Sequence, residues 1–288
     1  MKTSNWLDTL LYPFKHHTLP LVQGGNMHYV DEGAGDPIVF VHGTPTWSFV
    51  WRQQIKSLSR NYRCIAPDHL GFGLSDKPTE HAFAYTPAAH AQNLEELLNH
   101  LQLQNILLVV HDFGGPIGLR YAERYPEKIK KIVILNSWMW PLEDEANMMK
   151  ASKFLSGAVG RFLYLQLGFS AKVLLRKGYH ERKHLTKEVH QHYTKPLASA
   201  AKRLGTWHFA KALHASNDYF SALWQHRENL KSIPKLILWG EKDALLPLHF
   251  LDKWTQEFPD AKVVRVKAGH FLQEEKGSDV SEEIKKFI

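Results

Sequence analysis

The sequence predicts an α/β fold: a mostly parallel, doubly wound sheet carrying one helical insertion. Three observations predict it. Short β-branched runs recur along the chain, helical patterns alternate with them, and the alternation is broken once by a long helical, aromatic stretch. The 288 residues suit one large domain with an insertion and can bury a sizeable core. The runs are "PIVFVHG", "YRCIAPD", "NILLVVHD", "KIVILNS", "PKLILWGEKD" and "AKVVRVKAGH". Each is near-continuously apolar rather than alternating, which is the pattern of strands covered on both faces of a parallel sheet. Strand–helix alternation then implies right-handed crossovers.

The elements follow in order. "LVQGGNMHYVDEG" reads as an antiparallel hairpin at the sheet edge. "TPAAHAQNLEELLNHLQ" reads as a helix with Thr86 as N-cap and Pro87 at the first helical position. "GGPIGLRYAERY" reads as a helix ending before Pro126. The alternation stops between about Pro141 and Ile233 and resumes at "PKLILWG". We therefore expect a core of residues 1–140 and 232–288 and a helical cap, or lid, of residues 141–231. No Pro/Gly-rich linker, low-complexity tract or internal repeat divides the chain.

Composition narrows the function classes. Hydrophobic residues at 44% and charged residues at 23% are ordinary for a soluble globular protein. The single cysteine, Cys64, excludes an intrachain disulfide and reads as a buried small hydrophobe. The N-terminal "MKTSNWLDTLLYPFKHH" is interrupted by Asp8 and Pro13 and lacks a small-residue cleavage site, so it does not read as a secretion signal. No uninterrupted apolar stretch is long enough to span a bilayer, and the expected location is the cytoplasm. The net charge of +7 is concentrated: between Arg161 and His214, eleven Lys and Arg residues face only Glu181 and Glu188. No nucleic-acid motif accompanies them, so a solvated helical surface is expected rather than a nucleic-acid interface. Such a surface is suited to attracting anionic ligands or surfaces.

Ligands of open α/β sheets bind at the carboxyl ends of the strands, and the polar residues there form a coherent set. "ILLVVHDFGG" is strand, sharp turn and helix, the form of a nucleophile elbow, with Asp112 where Ser usually stands and Val110 where the first Gly stands. Gly114 and Gly115 permit close backbone approach. The His-Gly loop of "VFVHGTPTWSFVWR" can bring the Thr44 backbone N–H beside that of Phe113 as an oxyanion hole, since Pro45 has no N–H. Asp243 ends the strand "LILWG", and His270 follows the last strand. The order nucleophile, acid, base is that of α/β-hydrolases. Taken singly, Asp112 or Asp243 would read as helix caps and Asp68 as a turn residue. His180, His184, His190 and His192 read as surface histidines rather than a metal site. No cofactor or metal is expected.

"HGTPTWSFVWR", "DHLGFGLSDKP", "VVHDFGGPIGLRYAERYP" and "GHFLQEE" resemble the haloalkane dehalogenase group of α/β-hydrolases, to which the epoxide hydrolases are related. The resemblance runs from about Trp6 to the C-terminus and is weakest in the lid. It implies the α/β-hydrolase fold. A carboxylate acid at Asp243 is similar to two of the three dehalogenase subfamilies; Asn136 stands where the third has its acid and cannot serve as one.

The chemistry of an Asp nucleophile differs from that of Ser. A carboxylate is already ionised near neutral pH, so it attacks a saturated carbon directly and forms an alkyl ester. His270 then activates water to hydrolyse the ester, oriented by Asp243, while the Thr44 and Phe113 amides hold the oxyanion. The expected partners are a small apolar electrophile and water: an alkyl halide, an epoxide or a strained lactone. The resemblance also implies two side-chain N–H donors for a departing halide, and here the sequence departs from it. Phe113 has no donor, and Thr44 offers only a short hydroxyl. Trp138, Trp140, Trp207 and Trp224 are candidates to compensate, although each also reads as a pocket-lining aromatic. Ring opening of an epoxide would instead call on tyrosines, among Tyr164, Tyr179, Tyr193 and Tyr219. The expected function is a dehalogenase-like hydrolase. The alternatives are an epoxide- or β-lactone-opening enzyme and, in another class, a ligand-binding protein that kept the fold.

Overall fold

The structure, a computed structural model, describes residues 6–288. The first five residues of the N-terminal segment and of the expected core lie outside it. Eight strands form one sheet in the order β1-β2-β4-β3-β5-β6-β7-β8. They are β1 (His16–Pro20), β2 (Asn26–Glu32), β3 (Pro37–Val41), β4 (Arg63–Pro67), β5 (Ile106–Asp112), β6 (Ile129–Ser137), β7 (Lys235–Gly240) and β8 (Lys262–Val266). An antiparallel hairpin, β1–β2, stands at the sheet edge, but the stretch expected to hold it, residues 21–33, contains only the turn and β2; the first strand lies just before it, and β2 runs antiparallel to β4. From β4 to β8 all pairings are parallel.

The central strands are buried on both faces; Val110, Ile134 and Leu238 are fully enclosed. The run "AKVVRVKAGH" does not follow this rule. It forms β8, which is the outer strand and largely exposed, because only β7 flanks it. Helix α1 (Arg52–Leu58), α2 (Pro87–His100) and α3 (Gly114–Arg124) join the parallel strands. The Thr86 hydroxyl caps α2 by accepting the Ala89 N–H at 3.2 Å, and α3 stops just before Pro126.

Between β6 and β7 every regular element is helical, joined by loops such as residues 138–145. This interval has its own small core around Tyr164, Leu165, Trp207 and Ala210. Arg203 stitches it together: its guanidinium donates to the carbonyls of Leu165, Gln166, Leu197 and Ala198. Arg203 was grouped with the solvated charges in the sequence, yet it is buried, since four carbonyls replace its water shell. Among the described residues no single helix is long and apolar enough to cross a membrane.

Candidate active site

β5 ends at Asp112, where the chain turns into α3. Asp112 has φ +52°, a left-handed conformation costly for a residue with a Cβ. Its surroundings impose it. A Cβ on Gly114 would lie 2.1 Å from the Val41 carbonyl oxygen, and one on Gly115 would lie 1.8 Å from Ser137 Oγ. The Ser137 hydroxyl donates to the Asp112 backbone carbonyl at 2.6 Å. From the facing loop, a Cβ on Gly43 would lie 2.0 Å from Asp112 Oδ1. Three glycines are thus steric requirements of one turn.

The Thr44 backbone N–H donates to Asp112 Oδ1 at 2.7 Å. His270 Nε2 stands 3.5 Å from Asp112 Oδ2, an ion-pair separation rather than a close hydrogen bond. On its other side His270 Nδ1 donates to Asp243 Oδ2 at 2.7 Å. Asp243 also accepts from Asn136 Nδ2 at 2.5 Å and from the Leu245 and Leu246 amides at 2.7 and 3.1 Å. Asn136 Oδ1 accepts the Gly240 N–H at 2.7 Å. The ends of β5, β6 and β7 and the loop after β8 therefore converge on one imidazole.

The electrostatics follow from this placement. Burial alone would lower the His270 pKa, but the charges of Asp243 and Asp112 outweigh it and raise the imidazole to about 10. For Asp243, burial works against ionisation, yet the His270 charge and the donated hydrogen bonds hold it below the usual carboxylate range. His111 is driven down to about 3 by burial and then by the neighbouring His270 charge. Its neutral ring donates from Nε2 to the His270 carbonyl at 2.9 Å. The placement thus favours a protonated His270 held between Asp243 and Asp112.

A family model described as the alpha/beta hydrolase fold matches residues 36–277. The chain belongs to the alpha/beta hydrolase family. This hydrolase is 38% identical to the cis-3-alkyl-4-alkyloxetan-2-one decarboxylase of Shewanella oneidensis, over 98% of its own length and 90% of the relative's. It is 35% identical to haloalkane dehalogenase 2 of Mycobacterium tuberculosis, over 93% of each chain. Among solved structures it superposes on the haloalkane dehalogenase DatA of Agrobacterium tumefaciens C58 with a TM-score of 0.85, at 26% identity and with 95% of each chain covered. It is an enzyme of the haloalkane dehalogenase-like group, as its motifs suggest.

Beside the imidazole, the hydrolase packs a wall of rings. Phe113 stacks on Phe209 (centroids 4.4 Å apart, 10° between planes) and meets Trp138 edge-on at 4.9 Å. Trp138 Nε1 and Thr44 Oγ1 are buried without a hydrogen-bond partner among the described residues. Tyr164 is buried, and its phenol is held above the ordinary range by desolvation and then by the charge of Asp112.

The other aromatic candidates have different partners. Trp207 Nε1 donates to the Leu155 carbonyl at 2.9 Å, and the Tyr219 hydroxyl to the Pro116 carbonyl at 2.8 Å. Trp140 packs with Trp224, Phe250 and Trp254. The Tyr193 hydroxyl donates to Glu274, which also pairs with Arg52, and Tyr179 is buried near that same pair. Asp68 accepts from the Ser48 and Leu74 amides and from His28, each at 2.8 Å, so it is bound into a turn. His190 bonds to the backbone carbonyl of Ala171, and His184 lies 3.6 Å from Glu181; His192, expected at the surface, is instead buried, its ring bonded to the Glu188 carbonyl and accepting the Asp8 amide at 3.1 Å. Among the described residues no group of three His, Cys, Asp or Glu side chains is arranged to hold a metal.

Sequence reasoning passed over four supports. Ser137, Asn136 and His111 brace the site as above. Glu275 accepts the amides of Gly269 at 2.8 Å, His180 at 3.1 Å and Glu181 at 2.7 Å, while the His270 amide donates to the Gly178 carbonyl at 2.7 Å. The available signal for Asn136 was its place at a strand end beside Ser137; Glu275 carried none beyond adjacency to "GHF".

Proposed function

We propose that Asp112 is the nucleophile, His270 its partner base and Asp243 the acid that orients His270, with the Thr44 and Phe113 amides as the oxyanion hole. Residues 141–231 act as the lid over them. The substrate we favour is a β-lactone, an oxetan-2-one bearing alkyl groups on its two saturated ring carbons. One observation carries this choice. The residue after the nucleophile is Phe113, clamped in a ring stack, and its ring has no N–H to stabilise a departing halide.

A strained lactone has less need of such a donor. Asp112 attacks the saturated ring carbon bonded to oxygen, and that C–O bond breaks. The ring oxygen leaves as part of a carboxylate that stays on the substrate, and an alkyl ester joins substrate to Asp112. Loss of carbon dioxide then places the C–C electron pair in a new double bond. The ester C–O pair returns to Asp112. One lactone gives one alkene and one carbon dioxide, and no water is consumed. The His270 imidazolium suits this sequence: as Asp112 loses its charge to the ester, the new substrate carboxylate supplies another. The Thr44 hydroxyl, buried without a partner among the described residues, is a further donor in the same loop. The 38% identity to an alkyloxetanone decarboxylase supports the same reading.

The second reading is carbon–halogen cleavage, favoured by the unpartnered Trp138 indole N–H next to Phe113. There His270 must act as base. Esterification of Asp112 favours that, because it removes one of the charges that hold the His270 proton.

The test is wild-type enzyme incubated separately with a cis-3,4-dialkyl-oxetan-2-one and with a 1-bromoalkane. The expected result is alkene and carbon dioxide from the first and no bromide from the second. Bromide release without alkene would overturn the lactone reading, and a His270→Ala variant should then accumulate an alkyl ester visible by intact mass. Absence of any product or adduct from either compound would sink the Asp112 mechanism itself.

A further inference from the structure

Among the described residues eight large apolar side chains are exposed, and four of them fall within residues 154–167: Phe154 (58% exposed), Val159 (57%), Phe162 (55%) and Leu167 (51%). A cluster this dense is not the scatter of single apolar residues that ordinary surfaces carry. Three of the four share a face, and Phe154 is exposed on the preceding helix, Ala146–Ser156. Val159 and Phe162 lie one turn apart on the helix Ala158–Phe162. The next turn, Leu163–Leu167, is π-helical, and its wider spacing keeps Leu167 on the Phe162 side. Tyr164 and Leu165 are instead buried in the small core of this interval.

The charge around this face is one-sided. From Ala146 to His180 the chain has six cations and no Asp or Glu. Arg161 pairs with Glu80; Lys150, Lys153, Lys172, Arg176 and Lys177 make no ion pair among the described residues and are exposed. The segments Ala158–Leu167 and Ser170–Gly178 are together apolar enough to match a membrane span, yet they meet at 72°. Each reaches only about 15 Å, half the hydrocarbon thickness. A bent pair this short cannot cross a bilayer, but its first arm exposes Val159, Phe162 and Leu167 and its second exposes Lys172, Arg176 and Lys177, which suits it to lie in the bilayer surface.

We infer that this outer face of the helical interval docks on the surface of an anionic lipid bilayer, with Phe154, Val159, Phe162 and Leu167 entering the headgroup boundary and the lysines and arginines facing lipid phosphates. The inference does not depend on the chemistry assigned to Asp112. It would place the inner face, with Tyr164, within reach of apolar molecules dissolved in the membrane.

The experiment is co-sedimentation of the full chain with phosphatidylcholine vesicles, with and without phosphatidylglycerol. Binding is expected only to the anionic vesicles, and it should fall as salt rises. Neutralising Lys172→Gln, Arg176→Gln and Lys177→Gln together should weaken it about a hundredfold, at about fivefold per cation. Replacing Phe154, Phe162 and Leu167 by Ser should weaken it at least about tenfold at unchanged charge. Thermal melts must match wild type; Phe162→Asp alone, at an exposed position, serves if the triple variant melts early. Failure of the wild type to sediment with anionic vesicles overturns the inference, as does undiminished binding by the apolar variants. A wild-type dimer that the same apolar variants split, without vesicle binding, would assign the face to a second copy and overturn it equally.

Discussion

The carboxyl end of the sheet and the helical interval above it both contributed residues to the expected site, and the two sets behave differently. At the sheet end, Asp112, Asn136, Asp243 and His270 come from four separate positions and bond to one another. In the helical interval, Trp207 and Tyr219 spend their polar atoms on backbone carbonyls. Strand ends are fixed by the ladders beneath them, so polar atoms there can be aimed at a reactant. Short helices packed across a gap must first hold themselves in place, and their polar groups do so. An aromatic residue in such a layer is therefore a weaker site candidate than a carboxylate at a strand end.

Three substitutions test this contrast. Asp112→Asn should have the largest effect. If Asp112 acts as proposed, turnover should fall by about ten-thousandfold or more, the scale of a lost nucleophile. The His270 pKa should also drop from about 10, because one of the two charges that raise it is gone. It should stay above the ordinary imidazole value of 6.5, since Asp243 remains. NMR titration of the imidazole reads the shift directly; an unmoved pKa would mean that the two groups are not coupled across 3.5 Å. The linkage has a definite sign. A folded-state pKa above the unfolded one stabilises the fold fully below pH 6.5, and that stability is lost as pH rises through about 10. In Asp112→Asn the upper end of that window should move down.

Asn136→Leu comes next. It removes the donor to Asp243 and the acceptor for the Gly240 amide, which should cost about 2 kcal/mol in denaturant unfolding and slow turnover by about ten- to a hundredfold. Wild-type turnover in a stably folded variant would show that Asp243 needs no such brace. Trp207→Phe should do least. The lost bond to Leu155 should cost about 1 kcal/mol, with turnover within about twofold of wild type. A large loss of turnover at unchanged stability would restore Trp207 to the site and blur the contrast between the two regions.

Much of the fold was legible because its signals are local. Thr86 before Pro87, the stop at Pro126 and the β-branched runs each report on their own few residues. The elbow was legible for the same reason: Asp112 and its glycines are contiguous. Asn136 was visible only as a residue that could not be the acid. Its actual partner is 107 positions away, joined to it because β6 lies beside β7. The exposure of β8 depends on its being last in the sheet, which its own valines do not reveal. Arg203 looked like surface charge because nothing nearby in sequence announces four free carbonyls. Glu275 meets amides 94 and 95 positions earlier in the chain, so its part emerges only when the chain has closed on itself.

That last contact bears on redesign. The peptide around Gly178 belongs to the helical interval by sequence, but by bonding it is riveted to the His270 loop through Glu275 and through the His270 amide. The interval is consequently not an interchangeable cassette. A chimera that takes it whole from a relative would import foreign anchor points for the His270 loop. One that keeps residues 178–181 and splices on their N-terminal side would leave the imidazole's moorings native.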